Sequence, residues 1–346
     1  MIGGTPRILI IRLSAIGDVV RALPILHGLR HRYPNAQIDW AIEPKSSDVV
    51  RHHPALDQLL VFQRPSNPLK SLRAFVSFTR MVRAMDYDIV VDAHGILKSG
   101  LLALASRAPD RYGFAPPRSQ EGSHFFTNHR VRLAGGILNR VTENLRLCES
   151  LGVMADEHDL SIYVPLEVRE HVDRFFDESF DGGKQVITVH IPVDRPEKQW
   201  PLASYAQLAD MLIADGRFEV LLTWGPGQLQ TVIDTVEHMR RKPVIAPESP
   251  DLKHLAWMLY NSHLYFGGDT GPMHIAAAME TPVIAVFGGT NPAQHLPPGG
   301  MHRALYAGDK AQHPPHSLEG AKALLEKISP ESAYDACVDA LTRRSL

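Results

Sequence analysis

Short runs of aliphatic and β-branched residues alternate with longer amphipathic segments along nearly the whole chain. This alternation is typical of a parallel β-sheet whose strands are joined by crossover helices. The sequence predicts two series of strands: 8–11, 37–42, 58–62, 88–92 and 112–114, then 186–190, 219–223, 243–246, 264–266 and 283–287. We therefore predict an α/β protein with two doubly wound domains facing one another across a cleft, and a linker near residues 165–184.

Length and composition agree with this prediction and exclude several other classes of protein. A chain of 346 residues has room for two domains, and a net charge of −2 does not indicate a nucleic-acid partner. Cys148 and Cys337 are far apart, which excludes a disulfide framework or a cysteine-built zinc site and fits a reducing, cytoplasmic location. No segment is apolar for the roughly 18 residues of a membrane span, so contact with a membrane is expected to be peripheral.

Signature motifs of several enzyme classes are absent from the sequence. The first strand is followed by no Gly-x-Gly-x-x-Gly, and the chain has no phosphate-loop, nucleophile-elbow or His-Glu-x-x-His motif. Dehydrogenases, phosphate-loop nucleotidases, serine hydrolases and zinc proteases are therefore disfavoured.

The first candidate site follows the first predicted strand. Ser14 and Gly17 form a turn, and Asp18 falls in the first turn of the helix that follows. This is the carboxyl edge of a parallel sheet, where α/β proteins bind ligands, and a carboxylate there can take up a proton. The alternative interpretation is that Asp18 only stabilises the helix start through the helix dipole.

The most specific signal is the segment 264–279, which predicts a strand, a glycine-rich turn and a helix opened by Pro272. The backbone amides near Thr270 and Gly271 would point out of the helix end and form an anion pocket suited to a diphosphate, with Asp269 and His274 beside it. The alternative is a capped structural turn with a surface histidine.

Cations and polar residues mark three further segments. Lys198 follows a strand of the second half and could neutralise a leaving phosphate, although an isolated lysine is more often a solvated charge. His94 and Lys98 follow a strand of the first half and would face the same cleft, or belong to an ordinary loop. A basic stretch that could engage an acidic acceptor contains Arg64, Lys70, Arg73, Arg80 and Arg83.

Together these motifs resemble a known family. The segments that carry the likeness are 12–18 with Leu23-Pro24, 92–99, 198–201, 269–274 and 287–292. In order and spacing they resemble the lipopolysaccharide heptosyltransferases of glycosyltransferase family nine. The stretch 92–99 and the pair Asp39-Trp40 resemble the type I enzymes most.

The resemblance implies a GT-B fold of two Rossmann-like domains. Residues 1–170 would bind the acceptor, and residues 171–346 would bind the nucleotide sugar, usually ADP-heptose. Asp18 would be the general base and Lys198 the second catalytic residue of an inverting transfer that needs no metal and no cofactor. Donor contacts would come from Asp269, Thr270, Gly271, His274 and Trp224.

The implied acceptor is the Kdo sugar of the lipopolysaccharide inner core, a lipid-linked anion. It would be held by Ser14, Gly17, Arg64, Arg73, His94 and Lys98. The enzyme would act at the cytoplasmic face of the inner membrane, with peripheral contact and no nucleic-acid partner.

This chain departs from the family pattern in three places, one of which is an extra residue before Lys198. Pro192-Val193 stands where type I members carry adjacent threonines, and no acidic residue for the donor ribose follows Trp224-Gly225-Pro226. Three alternatives stay open at the level of sequence: a family member with another nucleotide sugar or acceptor, a nucleotide-sugar epimerase of similar fold, and a non-catalytic sugar-nucleotide-binding protein.

Overall fold

The computed structural model describes residues 5–315 and 317–344, and the side chains as far as Thr342. Contacts divide the chain into two compact units, Met1–Tyr163 and Val164–Leu346. Each unit is built on a six-stranded parallel sheet with its own buried core.

The first unit contains six strands in the order β3-β2-β1-β4-β5-β6. They are β1 (Arg7–Ile11), β2 (Gln37–Ile42), β3 (Gln58–Val61), β4 (Ile89–Asp92), β5 (Asp110–Phe114) and β6 (His129–Val131). The helices are α1 (Ile16–Val20), α2 (Leu23–Arg32), α3 (Pro44–Ser47), α4 (Pro68–Ala84), α5 (Leu97–Ser106) and α6 (Arg140–Ser150), with a 3₁₀ turn at Ser123–Phe126.

The second unit repeats the plan with strand order β12-β11-β10-β7-β8-β9. Its strands are β7 (Gln185–His190), β8 (Phe218–Thr223), β9 (Val244–Ile245), β10 (Leu264–Gly268), β11 (Val283–Phe287) and β12 (Arg303–Tyr306). The helices are α7 (Leu166–Ser179), α8 (Leu202–Asp215), α9 (Leu229–Val236), α10 (Leu252–Tyr260), α11 (Gly271–Ala278), α12 (Pro292–His295), α13 (Leu318–Glu326) and α14 (Pro330–Arg344), with a 3₁₀ turn at Pro196–Lys198.

Central strands are buried because helices cover both faces of each sheet. Residues 8–11 of β1 are fully buried, which is why this strand is a continuous aliphatic run with no polar alternation. In the second unit Trp200, Tyr205 and Phe266 pack ring against ring, and the Trp200 indole donates to the Ile328 carbonyl at 3.1 Å. The aromatic cluster anchors the segment that leads into α8.

Strand order identifies where each sheet can hold a ligand. In the first sheet the chain passes from β1 outward to β2 and β3 and then returns to β4, which lies on the other side of β1. In the second sheet β7 and β10 are related in the same way. A crevice opens at the carboxyl ends of such a pair of strands. Asp18 follows β1 and His94 follows β4, whereas Lys198 follows β7 and Asp269 follows β10.

All ten predicted strands are present, and two edge strands were missed. β6 is three residues long, with exposed His129 and Arg130, and β12 is four residues long, with Ala304-Leu305-Tyr306 after the exposed Arg303. Segments this short are hard to distinguish from loops by hydrophobic pattern. The predicted linker is wrong, because α7 occupies Leu166–Ser179 and packs on α10 within the second unit. The last two described helices are α13 and α14, and the Ser329 hydroxyl caps α14 by accepting from the backbone of Ser332.

The longest described helices are too short or too polar to pass through a lipid bilayer, and none of the described helices could do so.

Candidate functional site

Asp18 lies between two arginines at the carboxyl end of β1. Its carboxylate forms ion pairs with Arg12, the residue after β1, and with Arg21, one helical turn further on. Both guanidinium groups are buried, while the Asp18 side chain keeps 30% of its surface exposed. Arg12 also donates to the Ala93 carbonyl at 2.7 Å, which ties the end of β1 to the end of β4. The carboxylate is therefore held in place with one side open to a ligand.

The loop after β4 is organised by a buried carboxylate. Asp92 accepts hydrogen bonds from the backbone of His94 and Gly95 and from the Ser99 hydroxyl, each at 3.0 Å. Burial raises the pKa of Asp92, and these hydrogen bonds together with Arg12 act against that rise. The contacts fix the loop that carries His94 and Lys98.

His94 is neutral at physiological pH. Burial, reinforced by the nearby charge of Arg12, lowers its pKa to about 3. Its Nδ1 accepts from the backbone of Leu13 at 3.3 Å, so the proton of the neutral ring is on Nε2. His94 can therefore donate a hydrogen bond without carrying a charge.

Two more cations border this edge of the first sheet. Lys98 pairs with Glu43 at 2.8 Å, and Arg118 pairs with the buried Glu143 at 2.7 Å while donating to the His94 carbonyl at 3.3 Å. Burial lowers the pKa of Arg12 as it does that of His94, and the positive charge of Arg118 adds to both shifts. The edge is thus suited to an anionic ligand.

The second unit brings Lys198, Asp269 and Thr290 together. The ammonium group of Lys198 donates to the Asp269 carboxylate at 2.7 Å and to its carbonyl at 2.9 Å, and the Thr290 hydroxyl donates to the same carboxylate at 2.7 Å. Asp269 is 4% exposed and Lys198 19% exposed. Asp269 therefore orients Lys198, which keeps a solvent-facing side.

Asp269 is ionised although it is buried. Burial would by itself raise the pKa of Asp269, but the charge of Lys198, aided by His295 and His274, holds it well below its usual range. The Nε2 atom of His274 lies 4.0 Å from the carboxylate. A substitution that removes the charge of Asp269 would therefore leave Lys198 without its ion-pair partner.

Helix α11 begins beside this ion pair. Thr270 is its N-cap residue, Gly271 its first residue, and Pro272 follows in the first turn as predicted. Helix geometry leaves the first-turn amides without acceptors inside the helix, and their dipoles give that end a partial positive charge. β10 and β7 also approach closely just before this helix. A Cβ atom at Gly267 would lie 2.9 Å from the His190 carbonyl of the neighbouring strand, so glycine suits this position.

His190 is the last residue of β7, and Trp224 follows the neighbouring strand β8. Burial lowers the pKa of His190 to about 4, and its Nδ1 lies 3.0 Å from the Thr223 hydroxyl. Trp224 is 8% exposed, and its indole donates to the Ala246 carbonyl at 2.9 Å. The donor-binding role of Trp224 stays a prediction, because its ring packs mainly in the core.

The structure gathers most of the predicted site residues into two groups. Asp18 and His94 lie close enough to influence one another. Ser14 lies in the loop after β1, whereas Gly17, predicted in the turn, is a buried residue of α1 next to Asp18. Lys198, Asp269, Thr270, Gly271 and His274 form the second group. Arg64 lies in the loop between β3 and α4 and Arg73 on α4, and both are exposed. Their acceptor-binding role stays a prediction.

Sequence reasoning missed the partners of these residues. The i,i+3 spacing of Asp18 and Arg21 is typical of an ion pair on one helix face, so this contact was predictable from the sequence. The contacts of Arg118 and Glu43 were not, since only the sheet brings them to β1 and β4. Thr290 lies in the segment 287–292, which carries the family resemblance, but sequence reasoning assigned no role to it.

Comparison with known proteins decides the family. The model of glycosyltransferase family 9 (heptosyltransferase) matches residues 75–317, more than two thirds of the chain. This chain belongs to glycosyltransferase family 9. Membership favours the transferase over the epimerase alternative.

Relatives of the family 9 chain include two Escherichia coli proteins. Lipopolysaccharide heptosyltransferase 1 of strain K12 is 26% identical over 83% of this chain and 89% of its own. Lipopolysaccharide heptosyltransferase 3 is 25% identical over 94% of this chain and 96% of its own. Identity is thus similar to two types, and the resemblance to type I alone stays a prediction.

A solved structure has the same fold as this family 9 enzyme. The E. coli heptosyltransferase WaaC, in complex with ADP-2-deoxy-2-fluoro heptose, matches with a TM-score of 0.73 at 21% identity, over 96% of this chain and 99% of that one. The two parallel-sheet α/β domains predicted from the sequence are therefore those of a heptosyltransferase fold.

Within 5–315 and 317–344, no group of three or more His, Cys, Asp or Glu side chains is arranged to hold a metal ion.

Proposed function

We propose that this family 9 enzyme transfers heptose from ADP-heptose to a Kdo-bearing acceptor of the lipopolysaccharide inner core, with inversion at the anomeric carbon. The observation that carries the proposal is the ion pair between Lys198 and the buried Asp269 beside the start of α11. Relatives named lipopolysaccharide heptosyltransferases, and a relative solved with an ADP-heptose analogue, support the choice of donor and acceptor.

The second unit supplies what a departing diphosphate needs. Amide groups at Thr270 and Gly271 and the ammonium group of Lys198 are fixed donors, so they need no reorganisation as negative charge develops on the leaving group. Asp269 and Thr290 keep Lys198 in place through the 2.7 Å contacts described above. Donor binding is therefore assigned to the unit Val164–Leu346.

The first unit supplies a base and a cationic surround. An acceptor hydroxyl would give its proton to the Asp18 carboxylate while its oxygen bonds to the anomeric carbon. The bond from that carbon to the diphosphate breaks in the same step, and ADP leaves with the electron pair. The charges of Arg118 and Lys98 suit an acceptor that carries carboxylates, and the proposed Nε2 proton of His94 gives it a neutral donor.

A ligand screen followed by a transfer assay tests the proposal. ADP-heptose and ADP should raise the unfolding temperature, since a ligand at 100 times its dissociation constant stabilises the folded state by about 2.7 kcal/mol. UDP, GDP and their sugars should not. Purified enzyme should then convert the Kdo-bearing acceptor to a product heavier by one heptose.

The outcomes separate the candidate functions. Stabilisation by another nucleotide sugar alone would replace the donor and leave the transferase mechanism in place, an outcome favoured by the absence of an acidic residue after Trp224-Gly225-Pro226. Binding of ADP-heptose without product would mean that the acceptor differs or that the protein binds the sugar nucleotide without catalysis, and a screen of other acceptors would separate these two. Because amides and Lys198 take the diphosphate charge, we expect transfer to continue in EDTA; loss that magnesium restores would require a metal-dependent mechanism.

A further inference from the structure

One face of the first unit combines exposed leucines with a basic helix. Residues 64–84 contain five Lys or Arg and no Asp or Glu, although the whole chain has slightly more acidic than basic residues. The five cations are all exposed. Such a composition attracts an anionic surface and cannot be neutralised by carboxylates of its own segment.

Helix α4 turns large apolar side chains to solvent on the same face. Leu69 is 71% exposed, Leu72 61% and Val76 38%, at the i, i+3, i+7 spacing that places residues on one side of a helix. Phe78 and Val82 cover the opposite side and pack into the core. The solvent side of α4 therefore presents leucines in its first turns and Arg80 and Arg83 in its last.

Neighbouring elements extend this apolar surface. Leu97 and Leu104 on α5 are 41% and 47% exposed, and Phe125 on the 3₁₀ turn Ser123–Phe126 is 72% exposed. α5 packs against both α4 and that turn, so the three elements form one layer on one face of the first sheet. We call this layer, with its exposed residues, the α4–α5 face.

The α4–α5 face reaches the edge that carries the candidate acceptor site. Each helix follows a strand and runs back along the sheet, so the first turns of α4 and α5 lie at the carboxyl edge. Leu69, Leu72 and Leu97 are therefore at the same edge as His94 and Lys98. An acceptor anchored in a bilayer would be presented at this edge.

We propose that the α4–α5 face docks on an anionic lipid bilayer, with the leucines in the headgroup region and the cations against lipid phosphates. Basic helices with an exposed apolar stripe bind in this way, through buried apolar area and attraction to anionic lipids together. Cations alone would serve a water-soluble anionic sugar, and that role gives no use for exposed leucines. The inference rests on the proposed function for the reason the enzyme meets a membrane, but binding itself needs neither donor nor acceptor.

Vesicle sedimentation with the full chain tests the proposal, without donor or acceptor present. The protein should bind vesicles of phosphatidylglycerol and phosphatidylethanolamine, and not vesicles of phosphatidylcholine. Raising the salt concentration should weaken binding, because it shortens the range of electrostatic attraction. Leu69→Glu/Leu72→Glu should weaken binding by about tenfold or more, since it removes apolar area and adds charge.

A matched pair of substitutions controls for the added charge. Leu229→Glu/Ile233→Glu on α9 places two glutamates at exposed positions of the second unit and should leave vesicle binding as in the parent. Circular dichroism and the unfolding temperature establish that both variants are folded. Both should transfer heptose to a delipidated, soluble acceptor at the parent rate, whereas the α4 variant should be slow with acceptor embedded in vesicles.

Each other outcome overturns the proposal. Unchanged vesicle binding by the folded α4 variant, or equal binding to neutral vesicles, rejects the α4–α5 face as an anionic-membrane surface. No vesicle binding, with self-association in sedimentation velocity that the α4 variant abolishes, makes the face a contact between copies of the chain. Failure of the proposed function gives a different result. Vesicle binding as expected, with no transfer to a soluble acceptor, would reject the proposed reaction and leave the α4–α5 face as a membrane-binding surface.

Discussion

Asp18 shows how an exposed carboxylate can be fixed without being enclosed. Its two arginine partners are buried, and Arg12, which follows β1, also donates to the Ala93 carbonyl after β4. The side chain therefore loses little freedom when an acceptor arrives. At the scale of single residues, the two groups that matter most for the proposed reaction are each held by an ion pair: Asp18 by arginines, and Lys198 by Asp269.

We expect Asp18→Asn to lower kcat by about 10²–10⁴-fold, because a general base contributes by that amount to the chemical step. Donor affinity should be nearly unchanged, since the base does not touch the nucleotide. Steady-state kinetics and calorimetric titration with ADP measure the two quantities.

Asp48→Asn is the matched control. Asp48 forms an ion pair with Arg51 at i,i+3 spacing in the same unit, as Asp18 does with Arg21. Full activity in the Asp18 variant, or an equal loss in the Asp48 variant, would reject the assigned role.

Lys198→Ala should weaken donor binding and lower kcat together, because a cation beside the diphosphate acts before and during departure of the leaving group. It also leaves the buried Asp269 carboxylate without its partner, so the free energy of unfolding should fall by about 3 kcal/mol. Kinetics are measured below the unfolding temperature of the variant. Lys184→Ala, at an exposed lysine of the same unit, is the control; donor affinity and kcat both within twofold of the parent would make Lys198 a structural cation only.

Among the elements, α11 has the clearest functional assignment. It is short and apolar, and six of its eight residues are buried, so packing rather than helix propensity holds it in place. Its beginning is left open beside Lys198. The helix therefore contributes a fixed partial charge at one point of the sheet edge.

Gly271→Val should weaken binding of ADP by more than about tenfold, because Gly271 is the first residue of the helix and a side chain there takes space beside the amides. Backbone strain is not the reason, since a helical conformation is open to valine. Gly271→Ala should have a smaller effect, and Gly183→Val, where a Cβ atom meets nothing within 4 Å, should have none. ADP affinity retained in the valine variant would move the diphosphate site elsewhere.

At the scale of the whole molecule, buried neutral histidines couple folding to pH. Burial lowers the pKa of His94 to about 3 and of His190 to about 4, whereas an unfolded histidine titrates near 6.5. Below pH 6.5 the unfolded chain binds protons that the folded chain does not, so stability is full above that pH and declines as the pH falls through 6.5 toward 4. Asp269 acts in a lower range, because its pKa is lowered and its stabilisation is lost only below the unfolded value of 3.8.

His190→Gln should therefore flatten the pH dependence of stability between pH 6.5 and 4 by up to about 1.4 kcal/mol per pH unit, the value for one proton. Urea unfolding at a series of pH values gives the slope, and subtraction from the parent cancels the contribution of other groups such as Asp92. His158→Gln replaces an exposed histidine and should leave the slope unchanged. Equal slopes in the parent and the His190 variant would contradict the prediction.

The sequence by itself determined the fold class, the positions of ten of the twelve strands and the members of the second candidate group. These features are local: a buried parallel strand must be aliphatic, and a glycine-rich turn with Pro272 at a helix start is visible within a few residues. The same locality explains the failures, since β6 and β12 are edge strands of three and four residues, too short for a clear hydrophobic pattern.

Only the tertiary structure decided which charges meet. Lys198 and Asp269 are 71 residues apart, and the first becomes the partner of the second because β7 and β10 pair in the sheet. Arg118 likewise comes to His94 through the loop after β5. Ion pairs of this kind depend on strand order, which hydrophobic periodicity does not encode, and their strength depends on burial, which exists only once both sheets are covered.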